Sequence, residues 1–393
     1  MTNWKHSDLL RANPGASEHR EHSEAMYLTS SFKFENAAQA AEYFGRQGAD
    51  YIYSRFSNPT TAMFNQRMAL LEGAEAALAT ASGMAAITAV VMALCQAGDR
   101  VLCSRNVFGA TIQLLSGHLA KFDIQVEYVN GNRLDRWRQA AMNSKAGKVA
   151  LMIVETPSNP MQEVMDLAGL AQIAKESGAL LVVDNCFCAG CQQPLRFGAD
   201  LVVHSATKYP DGQGRVLGGS IVGSNQLLME KLYPFLRASG PALSPFNAWV
   251  ISKSLETLPL RIKAHSATAL QIAQWLEQQP AITKVWHTAL PSHPAHTLAM
   301  QQQAGLGGGL ITCCLSGGKE AAWRFMDALR LFSITANFGD AKSIVAHPAS
   351  TTHSRLTAAE QAEIGLDDSI VRLSIGLEAA EDLQADIEQA LAN

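Results

Sequence analysis

Residues 199–219, ADLVVHSATKYPDGQGRVLGG, begin as a buried strand and end as a loop nearly stripped of side chains. Lys208 stands just past the apolar run Leu201–Val203, with Ser205 three residues before it and Thr207 and Tyr209 on either side. Gly212, Gly214, Gly218 and Gly219 follow. A long cationic side chain in that setting marks either a solvated turn or a reactive amine, and the upstream sequence decides between them. Short apolar runs recur there as AALAT (76–80), RVLC (100–103), IQVEYV (124–129), VALMIV (149–154) and ALLVVD (179–184). Helical patterns near 110–120, 133–144 and 166–177 separate them, and Ile87, Val90, Val91 and Leu94 share one face of a helix after the first run. Regular alternation of this kind predicts an α/β fold, a mostly parallel central sheet flanked by helices.

A chain of 393 residues exceeds one ordinary core and predicts more than one domain. Residues 1–58, with NPG early and SNPTT at the end, read as an extended arm. Residues 59–245 carry the strand–helix rhythm. The Gly-, Pro- and Ser-rich ASGPALSP (238–245) leads into a helical stretch predicted over 246–278, which opens a smaller C-terminal α/β domain, 246–393. Its strands are expected in GGGLITCCL (307–315) and SIVRLSI (369–375).

The net charge of -4 and the lack of any basic run argue against nucleic acid or an anionic membrane as the partner. The uncharged span 76–98 is built from Ala, Thr and Gly and broken at Ser82-Gly83, which suits strand, turn and helix better than a bilayer crossing. The opening MTNWKHSDLLRANPG has no apolar leader core, and the seven cysteines form no even framework. Both features predict a reducing, cytoplasmic setting. Cys186, Cys188 and Cys191 form C-x-C-x-x-C, but no second ligand pair stands at zinc-site spacing, so packing is the reading taken and no metal is expected.

In such sheets ligands collect at the carboxyl ends of strands, where SGM (82–84), ETPSNP (155–160), DNCF (184–187) and HSATK (204–208) all fall. Asp184 and Lys208 end consecutive apolar runs and can face one pocket. A lysine that condenses with an aldehyde, and an aspartate that pairs with a pyridine nitrogen, are what pyridoxal phosphate requires of a protein. Ser82-Gly83-Met84 at a helix start offers backbone N–H groups to a phosphate, and Ser205 and Thr207 offer hydroxyls, although each alone also reads as a cap or turn former. Rival motifs fail on spacing. Gly147-Lys148 and Gly318-Lys319 lack the rest of a P-loop, Leu217 occupies the last glycine position of G-x-G-x-x-G, and His347 and His353 have no H-E-x-x-H glutamate.

Taken in order with YSRFSNPT, SGMAAI, VVDN, HSATKYPDGQGRVLGG, NFGDAKSIVAHPASTTH and VRLSIGLE, these motifs make the chain resemble the Cys/Met-metabolism family of pyridoxal-phosphate enzymes, of fold type I, over nearly its whole length. The resemblance implies that Lys208 carries the Schiff base and shuttles protons. It implies that Asp184 meets the ring nitrogen, that Asn159 approaches the ring hydroxyl, and that Gly83, Met84, Ser205 and Thr207 hold the phosphate. Tyr53 and Arg55 are implied to reach a neighbouring subunit's phosphate, in a homotetramer. Arg372 is implied to clamp the substrate α-carboxylate. Phe108 and Asn337 stand where many relatives carry tyrosine and serine, a combination that points to γ-replacement on an acyl-activated homoserine by sulfide, yielding homocysteine for methionine biosynthesis. Arg105 is the expected partner of a distal succinyl carboxylate. Cysteine as the thiol donor, acetyl in place of succinyl, γ-elimination from methionine or cystathionine, and a non-catalytic cofactor-binding scaffold are the alternatives.

Overall fold

The computed structural model describes residues 6–12, 17–45, 51–143 and 147–392. The NPG of the N-terminal arm lies outside them.

The first six apolar runs form strands close to where their sequence places them. These are β1 (Ala76–Thr80), β2 (Arg100–Ser104), β3 (Gln125–Val129), β4 (Val149–Glu155), β5 (Leu180–Asp184) and β6 (Leu201–Ser205). A seventh, β7 (Gly219–Gly223), comes from GSIVG, which begins at the last glycine of the loop and is not among the strands expected from the sequence. The sheet order is β1-β7-β6-β5-β4-β2-β3. Pairing is parallel from β6 through β3, while β7 runs antiparallel to both β1 and β6. The carboxyl ends of β1, β2, β4, β5 and β6 therefore share one edge. Their centres are continuous apolar runs because helices cover both faces. One face packs on the helix Gly83–Leu94, through Ile87, Val90 and Val91; the other packs on the helices Leu134–Ala141 and Leu167–Ser177.

A smaller five-stranded sheet follows, with β8 (Ile282–Trp286), β9 (Leu310–Leu315), β10 (Ser333–Ile334), β11 (Ile344–Ala346) and β12 (Ile370–Ser374) in the order β10-β11-β12-β9-β8. The helix predicted over 246–278 is two helices, Pro245–Leu255 and Leu258–Leu276. Pro259 explains the break, since its ring fits a first helical turn and not a helix interior. The first of the two packs with Phe64, Met68 and Leu71 of the helix Pro59–Glu72 in the core beside the large sheet. Leu310 and Phe338 from the smaller sheet region join the same cluster, so the two sheets share packing on the side where the candidate site lies.

No helix among the described residues is long and apolar enough to cross a membrane. Cys188 and Cys191 are buried in the shared core, while Cys186 faces the site instead and accepts the Ser205 N–H at 2.8 Å. Among the described residues, no group of His, Cys, Asp or Glu is arranged to hold a metal ion.

Candidate active site

Where β1, β4, β5 and β6 end, the chain closes a cavity lined by Ser82, Gly83, Met84, Phe108, Glu155, Asn159, Asp184, Ser205, Thr207, Lys208 and Arg372. The phosphate end is shaped by close approach. Ser82 caps the helix Gly83–Leu94, its hydroxyl accepting the Ala85 N–H at 3.1 Å. A Cβ added to Gly83 would sit 2.9 Å from the Ser205 Cβ, and one on Gly219 would sit 2.2 Å from the Ser82 carbonyl oxygen. Glycine at both positions lets β7 and the helix start crowd against β6. The Gly83 and Met84 N–H groups, beyond the reach of the Ser82 cap, belong to the open first turn that favours anions.

Lys208 follows β6. Its Nζ donates to Asn337 Oδ1 at 2.5 Å and lies 4.7 Å from the centre of the Phe338 ring. Burial, seconded by the positive Arg372, lowers its pKa to about 8. The protein's own burial and Arg372 produce this depression. Asp184, at the end of β5, accepts the Cys186 N–H at 3.1 Å. Burial pushes its carboxyl up, opposed by Cys186 and by the positive potential of His204 and Lys208.

Glu155 is a site residue that sequence reasoning passed over within ETPSNP. It is register-paired with Asp184 across β4 and β5. It accepts the Phe108 N–H at 2.7 Å and the Asn159 N–H at 3.1 Å, so one carboxyl fixes two loops against the cavity. Burial first, and then the charge of Asp184, push Glu155 well above the carboxylate range. The spatial pairing with Asp184 was the missing signal, because local spacing does not reveal it.

Arg372 projects from the middle of β12, 1% exposed. It donates from Nη1 to Asn159 Oδ1 and from Nη2 to the Asn337 carbonyl oxygen, both at 2.9 Å. Its Nε is buried without a partner. A guanidinium held by neutral oxygens, with its Nε–H and one hydrogen on each Nη unused, has capacity for an incoming carboxylate. Phe338 and Phe187 wall it on the apolar side, with ring centres 5.4 and 6.0 Å from its Cζ.

Arg105 is not brought to this cavity. Its guanidinium pairs with Glu360 at 2.8 Å and Glu363 at 3.3 Å and lies over Tyr128. Two carboxylates already neutralise it, so the distal-carboxylate role expected of Arg105 is corrected on that ground. Tyr53 and Arg55 also lie apart from Lys208. Tyr53 is exposed, and Arg55 stacks on Phe56, donates to the Arg237 carbonyl oxygen and lines a separate cleft with Tyr233.

The pocket fits pyridoxal phosphate on its own chemistry. A lysine of lowered pKa and the Asp184 carboxyl line the same cavity as the glycine cradle that a Cβ would fill, together with an arginine whose Nε has no partner. Fold and site together define a lysine-dependent pyridoxal-phosphate enzyme of fold type I. The chain belongs to the Cys/Met metabolism PLP-dependent enzyme family, whose model matches residues 7–392. It is 51% identical over 385 residues to O-succinylhomoserine sulfhydrylase of Pseudomonas aeruginosa, covering 98% of this chain and 94% of that one. It is 41% identical over 368 residues to L-methionine gamma-lyase of Pseudomonas putida, covering 93% and 91%. Among solved structures, an O-acetylhomoserine (thiol)-lyase from Campylobacter jejuni bearing N'-pyridoxyl-lysine-5'-monophosphate superposes with a TM-score of 0.93, at 32% identity and 99% coverage of both chains.

Proposed function

We propose that this chain is an O-succinylhomoserine sulfhydrylase, replacing the γ-succinyloxy group of O-succinyl-L-homoserine with sulfide to give L-homocysteine and succinate. The observation that carries this reading is the 51% identity, spread over nearly all of both chains, to an enzyme of that name. The cavity supports it through Phe108, which presents an apolar ring on the wall where many relatives carry a phenol.

Bound pyridoxal phosphate supplies an electron sink at the substrate Cα. The protein supplies the rest. Lys208 would hold the cofactor aldehyde through its Nζ and, as a free amine, would take up the substrate Cα proton; the pKa of about 8 leaves an appreciable neutral fraction near neutral pH. Asn337 Oδ1 holds that amine in the cavity. Asp184 would pair with the ring N–H, Asn159 Nδ2 would donate toward the ring hydroxyl oxygen, and Gly83, Met84, Ser205 and Thr207 would surround the phosphate. Arg372 would clamp the α-carboxylate. A Cβ proton is lost next, and its electron pair closes a Cβ–Cγ double bond as the Cγ–O pair departs on succinate; the sulfide sulfur then bonds to Cγ while a proton returns to Cβ, and Lys208 returns the proton to Cα.

Among the described residues, the lysine and arginine side chains that line the cavity are Lys208 and Arg372, and this reading gives them to the aldehyde and the α-carboxylate, leaving the phosphate end to be charge-balanced from elsewhere. Tyr53 and Arg55 of a neighbouring copy would supply that end, so the working particle is a homotetramer built from dimers that share sites. A cytoplasmic place in methionine biosynthesis accompanies this reading.

The choice between replacement and elimination is tested at Phe108. A succinate carboxylate leaves without a proton, since carboxyl groups have pKa values of roughly 4–5, whereas a thiolate of pKa about 8.5 or more benefits from a donor. Phe108→Tyr is expected to raise elimination from methionine and cystathionine relative to sulfide replacement on O-succinylhomoserine. Steady-state assays of both proteins on both substrate types measure it. Methionine cleavage by the unmodified protein at a rate matching its succinyl-ester turnover would displace the sulfhydrylase reading in favour of a lyase.

A further inference from the structure

A second chamber adjoins the Lys208 cavity and shares Phe108, Ala336 and Thr352 with it as common walls. Its far side is formed by Gln113, Ser354 and Arg355. Arg355 donates to Gln113 Oε1, a neutral partner, and no carboxylate pairs with it among the described residues. This contrasts with Arg105, Arg133 and Arg138, each of which has an acidic partner. His353 lines the same chamber, 1% exposed, with its Nε2 unpartnered and its Nδ1 2.9 Å from the Thr352 hydroxyl. Burial and Arg372 lower the His353 pKa to about 4, so its ring is neutral at working pH. Two linked chambers thus each present one arginine without a carboxylate: Arg372 in the first, Arg355 in the second.

We propose that the second chamber receives the distal carboxylate of a dicarboxylic acyl leaving group, and that Arg355 is the residue that selects succinyl over acetyl esters. The proposal rests on the acyl-homoserine reading above. O-Succinylhomoserine carries two carboxylates, one on Cα and one at the end of the acyl chain. With the α-carboxylate on Arg372, the acyl chain leaves the Lys208 cavity past Phe108, where the shared wall leads to Arg355. An acetyl ester stops short of that chamber and has no charge to offer it. Because Arg355 is exposed, its pairing is screened by water, and the expected discrimination is moderate rather than absolute.

The test compares the holoenzyme with its Arg355→Met and Arg355→Lys variants, measuring kcat/KM with sulfide on O-succinyl- and O-acetylhomoserine. The succinyl-to-acetyl preference should fall roughly 10- to 50-fold in Arg355→Met, mainly through KM, and recover in part in Arg355→Lys. The inhibition constant of free succinate against O-acetylhomoserine should weaken in parallel. A preference ratio within about threefold of wild type, or an equal loss on both esters, overturns the proposal. So does a change in assembly size in Arg355→Met, which would make the residue a subunit contact. If the wild type turns over neither ester, the proposed function fails by itself. Calorimetric binding of succinate to the holoenzyme then decides the chamber: binding lost in Arg355→Met supports it, and equal binding in both proteins refutes it.

Discussion

Lys208→Ala is expected to abolish turnover. Losing the covalent anchor and the one amine that lines the cavity among the described residues removes both nucleophilic and acid–base contributions, and the proton-transfer part alone is worth about 10²- to 10⁴-fold. The cradle around Gly83 and Ser205 does not involve Lys208, so weak, non-covalent cofactor retention should persist. Borohydride reduction followed by peptide mass mapping should fix the cofactor on the Lys208 peptide in the unmodified protein and nowhere in the variant. The lowered pKa gives a second readout. Because burial and Arg372 disfavour the charged amine, Lys208 is protonated below about pH 8 and neutral above it. Reductive methylation of cofactor-free protein should therefore reach half its maximal rate at Lys208 near pH 8, well below the value of about 10.4 expected of a solvated lysine. Full activity in Lys208→Ala, or a labelling midpoint near that of surface lysines, would contradict the assignment.

Arg372→Ala is the second large effect. Truncation removes a charge-assisted pair to the substrate α-carboxylate, a loss of about 2–4 kcal/mol in transition-state binding, or roughly 30- to 900-fold in kcat/KM. It also leaves Asn159 Oδ1 and the Asn337 carbonyl oxygen without their donor, although Asn159 lines the cavity and Asn337 is only half-buried, so water can replace it. Arg372→Lys separates the two contributions. It keeps the charge but not the planar fork, so it should recover only part of the activity. Circular dichroism and melting curves check that β12 still forms. A kcat/KM in Arg372→Ala within a few-fold of the unmodified protein, with the fold intact, would remove Arg372 from substrate binding.

Much of this was legible in the sequence because the large sheet is parallel and buried on both faces, which writes its strands as continuous apolar runs. GSIVG escaped because its flanking glycines read as loop, and its antiparallel insertion between β1 and β6 is set by packing rather than by local pattern. β8, β10 and β11 are short or half polar and carry no strong period. Pro259 did announce the break between the two long helices and was available to be read. At the site, Lys208 and Asp184 stood out because strand ends concentrate chemistry. Arg105 and Arg355 were indistinguishable as loop arginines. What separates them is the pairing of Arg105 with Glu360 and Glu363, more than 250 residues away in sequence for the nearer of the two. Glu155 was missed for the same reason, since its meaning lies in the Phe108 and Asn159 backbone groups that it joins.

The most direct measurement is a product analysis of purified holoenzyme given O-succinyl-L-homoserine with sulfide and cysteine in equal amounts. The account predicts homocysteine and succinate in equal yield as the principal products. Cystathionine as the main product, or 2-oxobutanoate and ammonia formed at a comparable rate, would contradict it.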